Sequence, residues 1–159
     1  MIYNVITEEV CMIGFKEFSK ENYDRLYSMM VEFYRSDAVD HPIDLDIIKR
    51  LLEDILTGDY TIRGYEVYYD DNLVGFGVMT RYYASEVAGI TIQLEDLFIQ
   101  EEYRSKGIAK EYFRRIKDKF PEAKRFRLEV ARNNKRAIKL YKAGGFEELE
   151  YMQMIYDRV

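Results

Sequence analysis

Two groups of side chains in this 159-residue chain have types and spacing suited to chemistry. The first is the run Arg104-Ser105-Lys106-Gly107-Ile108-Ala109, set between a β-prone segment and a helical one. Such a loop makes an anion site, because the unpaired N–H groups of a helix N-terminus and the helix dipole both point into it. Gly107 permits close backbone approach, and the small Ala109 leaves room for a bulky phosphate beside the first turn. The second group is the acid pair Glu95-Asp96, in the strand that leads into the loop. Period-two alternation sends these carboxylates to opposite faces, which predicts separate roles. Further along, Asn134 opens a short helix with Ala137 and Tyr141 on one side of it. A lone glycine beside an arginine also describes a plain helix start, so the loop gains meaning only from this company.

Other chemistries lack their residues. One His and one Cys exclude an intrachain disulfide and leave too few ligands for a structural zinc site or a Ser-His or Cys-His triad. No run approaches the roughly 18 apolar residues of a membrane span. Residues Met1 to Cys11 carry Glu8 and Glu9 and no basic residue, unlike a signal peptide, so a cytoplasmic protein without membrane attachment is expected. With 48% apolar and 33% charged residues and no low-complexity tract, the chain reads as one globular domain.

Charge is unevenly spread. Residues 104–142 hold 15 Lys and Arg against 4 Asp and Glu, a balance of +11, and the remainder holds 9 against 25, a balance of −16. One part therefore suits an anion and the other a cation, although solvated helix faces alone produce such splits.

The elements that must position these groups follow from periodicity. Ile13 to Phe18 reads as a strand, with Ser19 as a cap before a helix over Asn22 to Tyr34, where Leu26, Met29, Met30 and Phe33 recur at helical spacing. Asp44 precedes a second helix striped by Ile48, Leu51, Leu52, Ile55 and Leu56 and stopped by Gly58. Ile62 to Tyr69 and Leu73 to Tyr83 read as strands joined by an Asp70-Asp71-Asn72 turn, and Ala88 to Ile99 as a third long strand. Ile108, Tyr112, Phe113 and Ile116 mark a helix that ends at Pro121. Phe126 to Ala131 is a further strand, Asn134 to Gly144 a short helix, and Phe146 to Tyr156 a last β-prone stretch.

The segments Leu94 to Ile99, Tyr103 to Ala109, and Asn134 with Ala137 to Phe146 together resemble the GNAT family of N-acetyltransferases. Arg104-Ser105-Lys106-Gly107-Ile108-Ala109 is similar to its Arg/Gln-x-x-Gly-x-Gly/Ala acetyl-CoA loop, with Ser105 where Gly is common and Ala109 where Gly is more frequent. The element order from about Met12 onward is similar as well, which implies an α/β (α+β) fold. Its central sheet would be mixed and mostly antiparallel, with the fourth and fifth strands parallel and splayed around the coenzyme. Residues 1–11 would be an extension and 12–159 the acetyltransferase domain.

The resemblance also implies roles. Backbone groups of Leu97, Phe98 and Ile99 would meet the pantetheine arm, amides of Arg104, Ser105, Lys106, Gly107, Ile108, Ala109 and Lys110 the pyrophosphate, and Asn134 and Ala137 the arm again. The Leu94-Glu95-Asp96 stretch resembles the diamine and polyamine acetyltransferases, where the Glu position is the suggested base. An amine with a pKa of about 10.4 is free on the order of one part in a thousand at neutral pH, a penalty of roughly 4 to 5 kcal/mol, so a base is needed. Glu95 is expected in that role, Asp96 as its support or as a ligand for a second charge, and Tyr141 as the hydroxyl beside the departing thiolate. In this family the connection between the first two helices borders the acceptor cleft. Its Asp37 and Asp40 would favour a cationic amine, while His41 reads as a surface residue. The expected activity is direct transfer of an acetyl group from acetyl-CoA to a small primary amine. A peptide amine is the alternative acceptor, nucleic-acid binding by the basic segment ranks last, and a homodimer is left open.

Overall fold

The computed structural model describes residues 12–39, 41–58 and 61–158. The expected extension, residues 1–11, lies outside them, as does Asp40. Nine helices and strands follow among the described residues: β1 (Ile13–Glu17), α1 (Tyr23–Tyr34), α2 (Leu45–Thr57), β2 (Ile62–Tyr69), β3 (Asn72–Ala84), β4 (Gly89–Ile99), α3 (Ile108–Lys119), β5 (Arg125–Leu128) and α4 (Lys135–Ala143). The sheet runs β1-β2-β3-β4-β5, antiparallel throughout except for the parallel β4–β5 pair.

Helices cover both faces of the sheet. On one, Leu26, Met30 and Tyr34 of α1, spaced four apart, and Ile48 and Leu52 of α2 pack on Phe76, Val78 and Phe98. On the other, Tyr112, Phe113 and Ile116 of α3 pack on Tyr65, Met79, Ile92 and Leu94, and Leu140 and Tyr141 of α4 join them. Gly77 is required here, because a Cβ on it would overlap the Tyr112 hydroxyl. The β2–β3 turn places Asp70 at φ 47° and Asp71 at φ 64°, two left-handed residues as a two-residue primed hairpin demands.

Ser19 stands at the expected helix start without a side-chain cap. That junction is instead held by the buried Glu66 of β2, whose carboxylate accepts from Ser19 N (2.8 Å), Asn22 Nδ2 (2.9 Å) and the Tyr68 hydroxyl (2.6 Å). Two expected strands change. The fifth ends at Leu128 rather than Ala131, because β4 and β5 part company there. The stretch Phe146 to Tyr156 forms no strand. Phe146 is anchored against Phe113 and Tyr141, but beyond it no neighbouring strand supplies a ladder, and Tyr151, Met152, Met154, Ile155 and Tyr156 are exposed. Strand propensity alone does not make a strand, and this stretch enters no ladder with a neighbour. Among the described residues no helix is long and apolar enough to cross a membrane.

Candidate active site

The site begins where two strands separate. Parallel pairing between β4 and β5 runs from Thr91↔Arg125 to Leu94↔Leu128 and stops, while β4 continues to Ile99 with β3 on its other side. From Glu95 to Ile99 the β5-facing edge of β4 has no partner strand among the described residues, so its peptide groups line an open slot. The side chains of Phe98 and Ile99 are buried and Leu97 is half-buried, which leaves the backbone as what these residues can offer.

At the end of that slot lies the loop. Arg104 Nε donates to Ile99 O (2.8 Å), tying the loop to the end of β4. Ser105 (φ 66°) and Gly107 (φ 80°) are left-handed while Lys106 between them is not. Alternation of hand turns successive N–H groups toward a common concavity, the geometry of an anion nest. Gly107 is the N-cap of α3, so the first turn has no side-chain cap, and a Cβ on it would meet nothing within 4 Å. Ile108 and Ala109 pack inward and fix that first turn, and Lys110 is exposed beside it. From α4, Arg136 donates to Ser105 Oγ (2.7 Å) and sets a guanidinium over the loop. Asn134 caps α4 by accepting from Ala137 N (3.1 Å), so its Oδ1 and the Ala137 amide are engaged while the Asn134 Nδ2 group remains to donate.

The acid pair departs from the simple strand expectation. Register shifts between Val78↔Asp96 and Met79↔Leu94, so Glu95 is the extra residue of a β-bulge. The bulge cancels one step of alternation. Asp96 accepts from the Tyr34 hydroxyl of α1 at 2.5 Å, and Glu95, exposed, accepts from Thr80 Oγ1 at 2.5 Å. Thr80 lies two residues beyond Val78, which packs on the α1 side, and therefore points to that side. Both carboxylates thus face the α1 side, and the reading that sends them to opposite faces is corrected. Burial raises the Asp96 carboxyl from an ordinary 3.8 to about 6, with the Tyr34 hydrogen bond opposing and the Glu95 charge adding. Burial first and the Asp96 charge second push the Tyr34 phenol upward.

Tyr141 stands on the opposite, α3 face, its ring edge-on to Phe113 (5.5 Å between centroids) and Phe146 (6.1 Å), and burial raises its phenol. Asp37 is exposed in the turn after α1, and His41 is exposed as well. Tyr34 and Thr80 were not singled out by the sequence. The four-residue spacing of Leu26, Met30 and Tyr34 does mark Tyr34 as sheet-facing.

The model of the acetyltransferase (GNAT) family matches residues 23–146, which include the slot, the loop, both acids and α4. The chain belongs to this family. The thialysine N-epsilon-acetyltransferase of Sus scrofa is 34% identical over 79 residues, 48% of this chain and 46% of that protein. The spermine/spermidine N(1)-acetyltransferase of Bacillus subtilis (strain 168) is 33% identical over 87 residues, 51% of this chain and 57% of that protein. The chain thus spans about half the length of these curated relatives. Among solved structures, a possible acetyltransferase from Clostridium difficile 630 superposes with a TM-score of 0.79 at 18% identity, covering 93% of this chain and 99% of that one. An aminoglycoside N-acetyltransferase in complex with CoA gives 0.75 at 17% identity, covering 97% and 100%. These two likenesses establish the shared GNAT fold: a mixed sheet with helices on both faces and its parallel pair at the slot.

Proposed function

We propose that the protein transfers the acetyl group of acetyl-CoA to a primary amine on a small cationic acceptor. The observation that carries this reading is the placement of Glu95 and Asp96, two carboxylates on one face of β4 at the point where β5 leaves it. The coenzyme fits the chain's own groups. The nest at Ser105 to Gly107, the uncapped start of α3 and the Arg136 guanidinium suit a pyrophosphate, and the unpaired edge of β4 from Leu97 to Ile99 suits the amide-bearing arm. Asn134 Nδ2 is the donor left on the facing helix. Acetyl-CoA supplies an activated thioester; the protein must bind it, orient the amine and move protons.

Asp96 holds the positive acceptor, and Asp37 adds negative charge to the approach. Glu95, exposed and fixed by Thr80, takes the proton of the ammonium group. The amine nitrogen then forms its bond to the acetyl carbon as the carbon–sulfur bond breaks, and the thiolate leaves with the electron pair. Tyr141 donates a proton or a hydrogen bond to that sulfur, and the nitrogen gives up its second proton to solvent as the amide forms, replacing the one supplied to sulfur, so that one of the ammonium's three N–H bonds remains in the product. No enzyme-bound acetyl group is required, so transfer occurs within a ternary complex.

The relatives named for thialysine and for spermine and spermidine favour this acceptor class. The test supplies acetyl-CoA with spermidine, thialysine, an aminoglycoside and a peptide with a free N-terminus, and follows release of free thiol. Turnover with one or more small cationic amines is expected. Turnover with the peptide alone assigns the alternative acceptor, and no turnover with any of the four removes the reading.

A further inference from the structure

We propose that Tyr34 is a positioning residue of the acceptor site, whose hydroxyl fixes the Asp96 carboxylate in place and in its anionic form so that it can hold the acceptor's ammonium group. This rests on the amine-acceptor reading above and adds to it a residue that neither the coenzyme loop nor the acid pair requires.

The geometry is specific. Tyr34 is the last residue of α1 and is 8% exposed, with its ring edge-on to Phe33 at 5.0 Å. Phe33 in turn packs on Phe76 (5.9 Å) and Phe98 (6.4 Å), the two aromatics of β3 and β4 that flank the bulge on this face. The phenol is therefore held by packed aromatics and delivers its hydrogen to one oxygen of Asp96 at 2.5 Å. The other carboxylate oxygen takes no hydrogen bond from the described residues, so it is the one left for a ligand.

A carboxylate in this position needs such a donor. The titratable groups facing Asp96 are the Tyr34 hydroxyl from α1 and the Glu95 carboxylate from its own strand, and the Tyr112 hydroxyl of α3 feels its charge from the other face of the sheet; Val78, opposite on β3, is apolar. None of these is a cation. Burial and the Glu95 charge both favour the protonated acid, and the Tyr34 hydrogen bond alone acts against them. Without it, Asp96 becomes neutral over a larger share of the physiological range and loses its attraction for an ammonium group. Acceptor binding requires ionised Asp96, so it weakens as pH falls through the Asp96 titration, and removing the donor moves that titration to higher pH.

The test compares the wild type with Tyr34→Phe, which keeps the ring and its aromatic contacts. Carbon-13 NMR of labelled aspartate follows the Asp96 titration without any acceptor, with Asp96→Asn used to assign the resonance. An upward displacement of about one pH unit in Tyr34→Phe is expected from loss of one hydrogen bond to a charged group. The acid limb of kcat/KM for the amine should move by the same amount, carried by KM, while acetyl-CoA affinity stays within twofold. An unmoved titration overturns the inference whatever the acceptor proves to be. A moved titration with an unmoved acid limb in an active enzyme overturns the role in acceptor binding. Failure of the wild type to acetylate any amine counts against the function reading itself, and the NMR result stands apart from it.

Discussion

Glu95 and Asp96 are consecutive in the chain and present their carboxylates to the same face of β4, because the bulge at Glu95 removes one step of strand alternation. The two acids nevertheless meet different surroundings. Glu95 is exposed and bonded to Thr80, whereas Asp96 is half-buried and bonded to Tyr34. Two like charges on one face repel, and burial selects which one bears the cost. That asymmetry suits the two roles proposed for them, Glu95 as a solvent-accessible proton acceptor and Asp96 as a fixed ligand for positive charge.

Stability should reveal that cost. Asp96 titrates at about 6 in the folded protein against an ordinary 3.8, so above pH 6 the fold carries an ionised group it disfavours, and below the unfolded value the penalty vanishes. Asp96→Asn keeps an oxygen acceptor for Tyr34 and removes the charge. It should raise the Tm at pH 8, by at most ~3 kcal/mol of stability, and the gain should close as pH falls from 7 to 4. The same variant should weaken acceptor binding. Thermal melts at both pH values check the first part, and KM for the amine checks the second.

Glu95→Gln should lower turnover on the order of 100-fold at neutral pH and leave acetyl-CoA binding unchanged, since only proton removal is affected. Raising the pH supplies free amine without a base, so the defect should shrink toward the acceptor pKa. A defect constant with pH would assign Glu95 to binding rather than to proton transfer.

Much of this site is legible in the sequence. The loop from Arg104 to Ala109, its place between β4 and α3, and the Asn134 start of α4 follow from local signals: a glycine at a left-handed position, a strand before it, an amphipathic stripe after it. The bulge is different, because it is a mismatch between two strands and neither strand alone encodes it. For the same reason Tyr34 reads from sequence as ordinary helix packing until Asp96 is turned to meet it. The segment from Phe146 to Tyr156 shows the converse case, where apolar and aromatic residues signal a strand and no ladder forms. Ser19 offered the local cap, and Glu66, 47 residues away, holds the junction instead.

The proposed role of the Gly107 loop in holding the coenzyme yields a test by ligand stabilisation. Acetyl-CoA should raise the Tm, as any ligand bound only by the native state does. Gly107→Asp puts a side chain at a φ of 80° and an anion at the nest, so that protection should be lost. Retained protection would separate the coenzyme from this loop.

Arg136 offers a gentler probe, because its guanidinium holds Ser105 from outside the nest. Arg136→Ala should weaken acetyl-CoA binding by about fivefold, the equivalent of ~1 kcal/mol for an exposed charged contact. Calorimetry at low and high salt should show the loss shrinking as salt screens the wild-type attraction. A loss independent of salt would mean that Arg136 acts by shaping the loop.

Tyr141 must be separated from its own packing. Its ring lies edge-on to Phe113 and Phe146, so in a chain with 15 tyrosines a purely structural place is a serious competitor. Tyr141→Phe retains both ring contacts and removes only the hydroxyl, so the Tm should hold if packing is all the ring does. Burial raises the phenol above its usual range, which keeps it protonated at working pH and able to donate to a departing thiolate. The variant should therefore lose turnover, on the order of 100-fold for a typical general acid, with acetyl-CoA affinity unchanged. Its defect should be flat between about pH 6 and 9, where the hydroxyl does not titrate, in contrast to the pH-dependent defect of Glu95→Gln. A thioester with a better leaving group should narrow the gap, because a stable thiolate needs less help. Wild-type turnover in Tyr141→Phe, alongside an unchanged melt, would assign the residue to the α3–α4 contact and leave the thiolate to solvent.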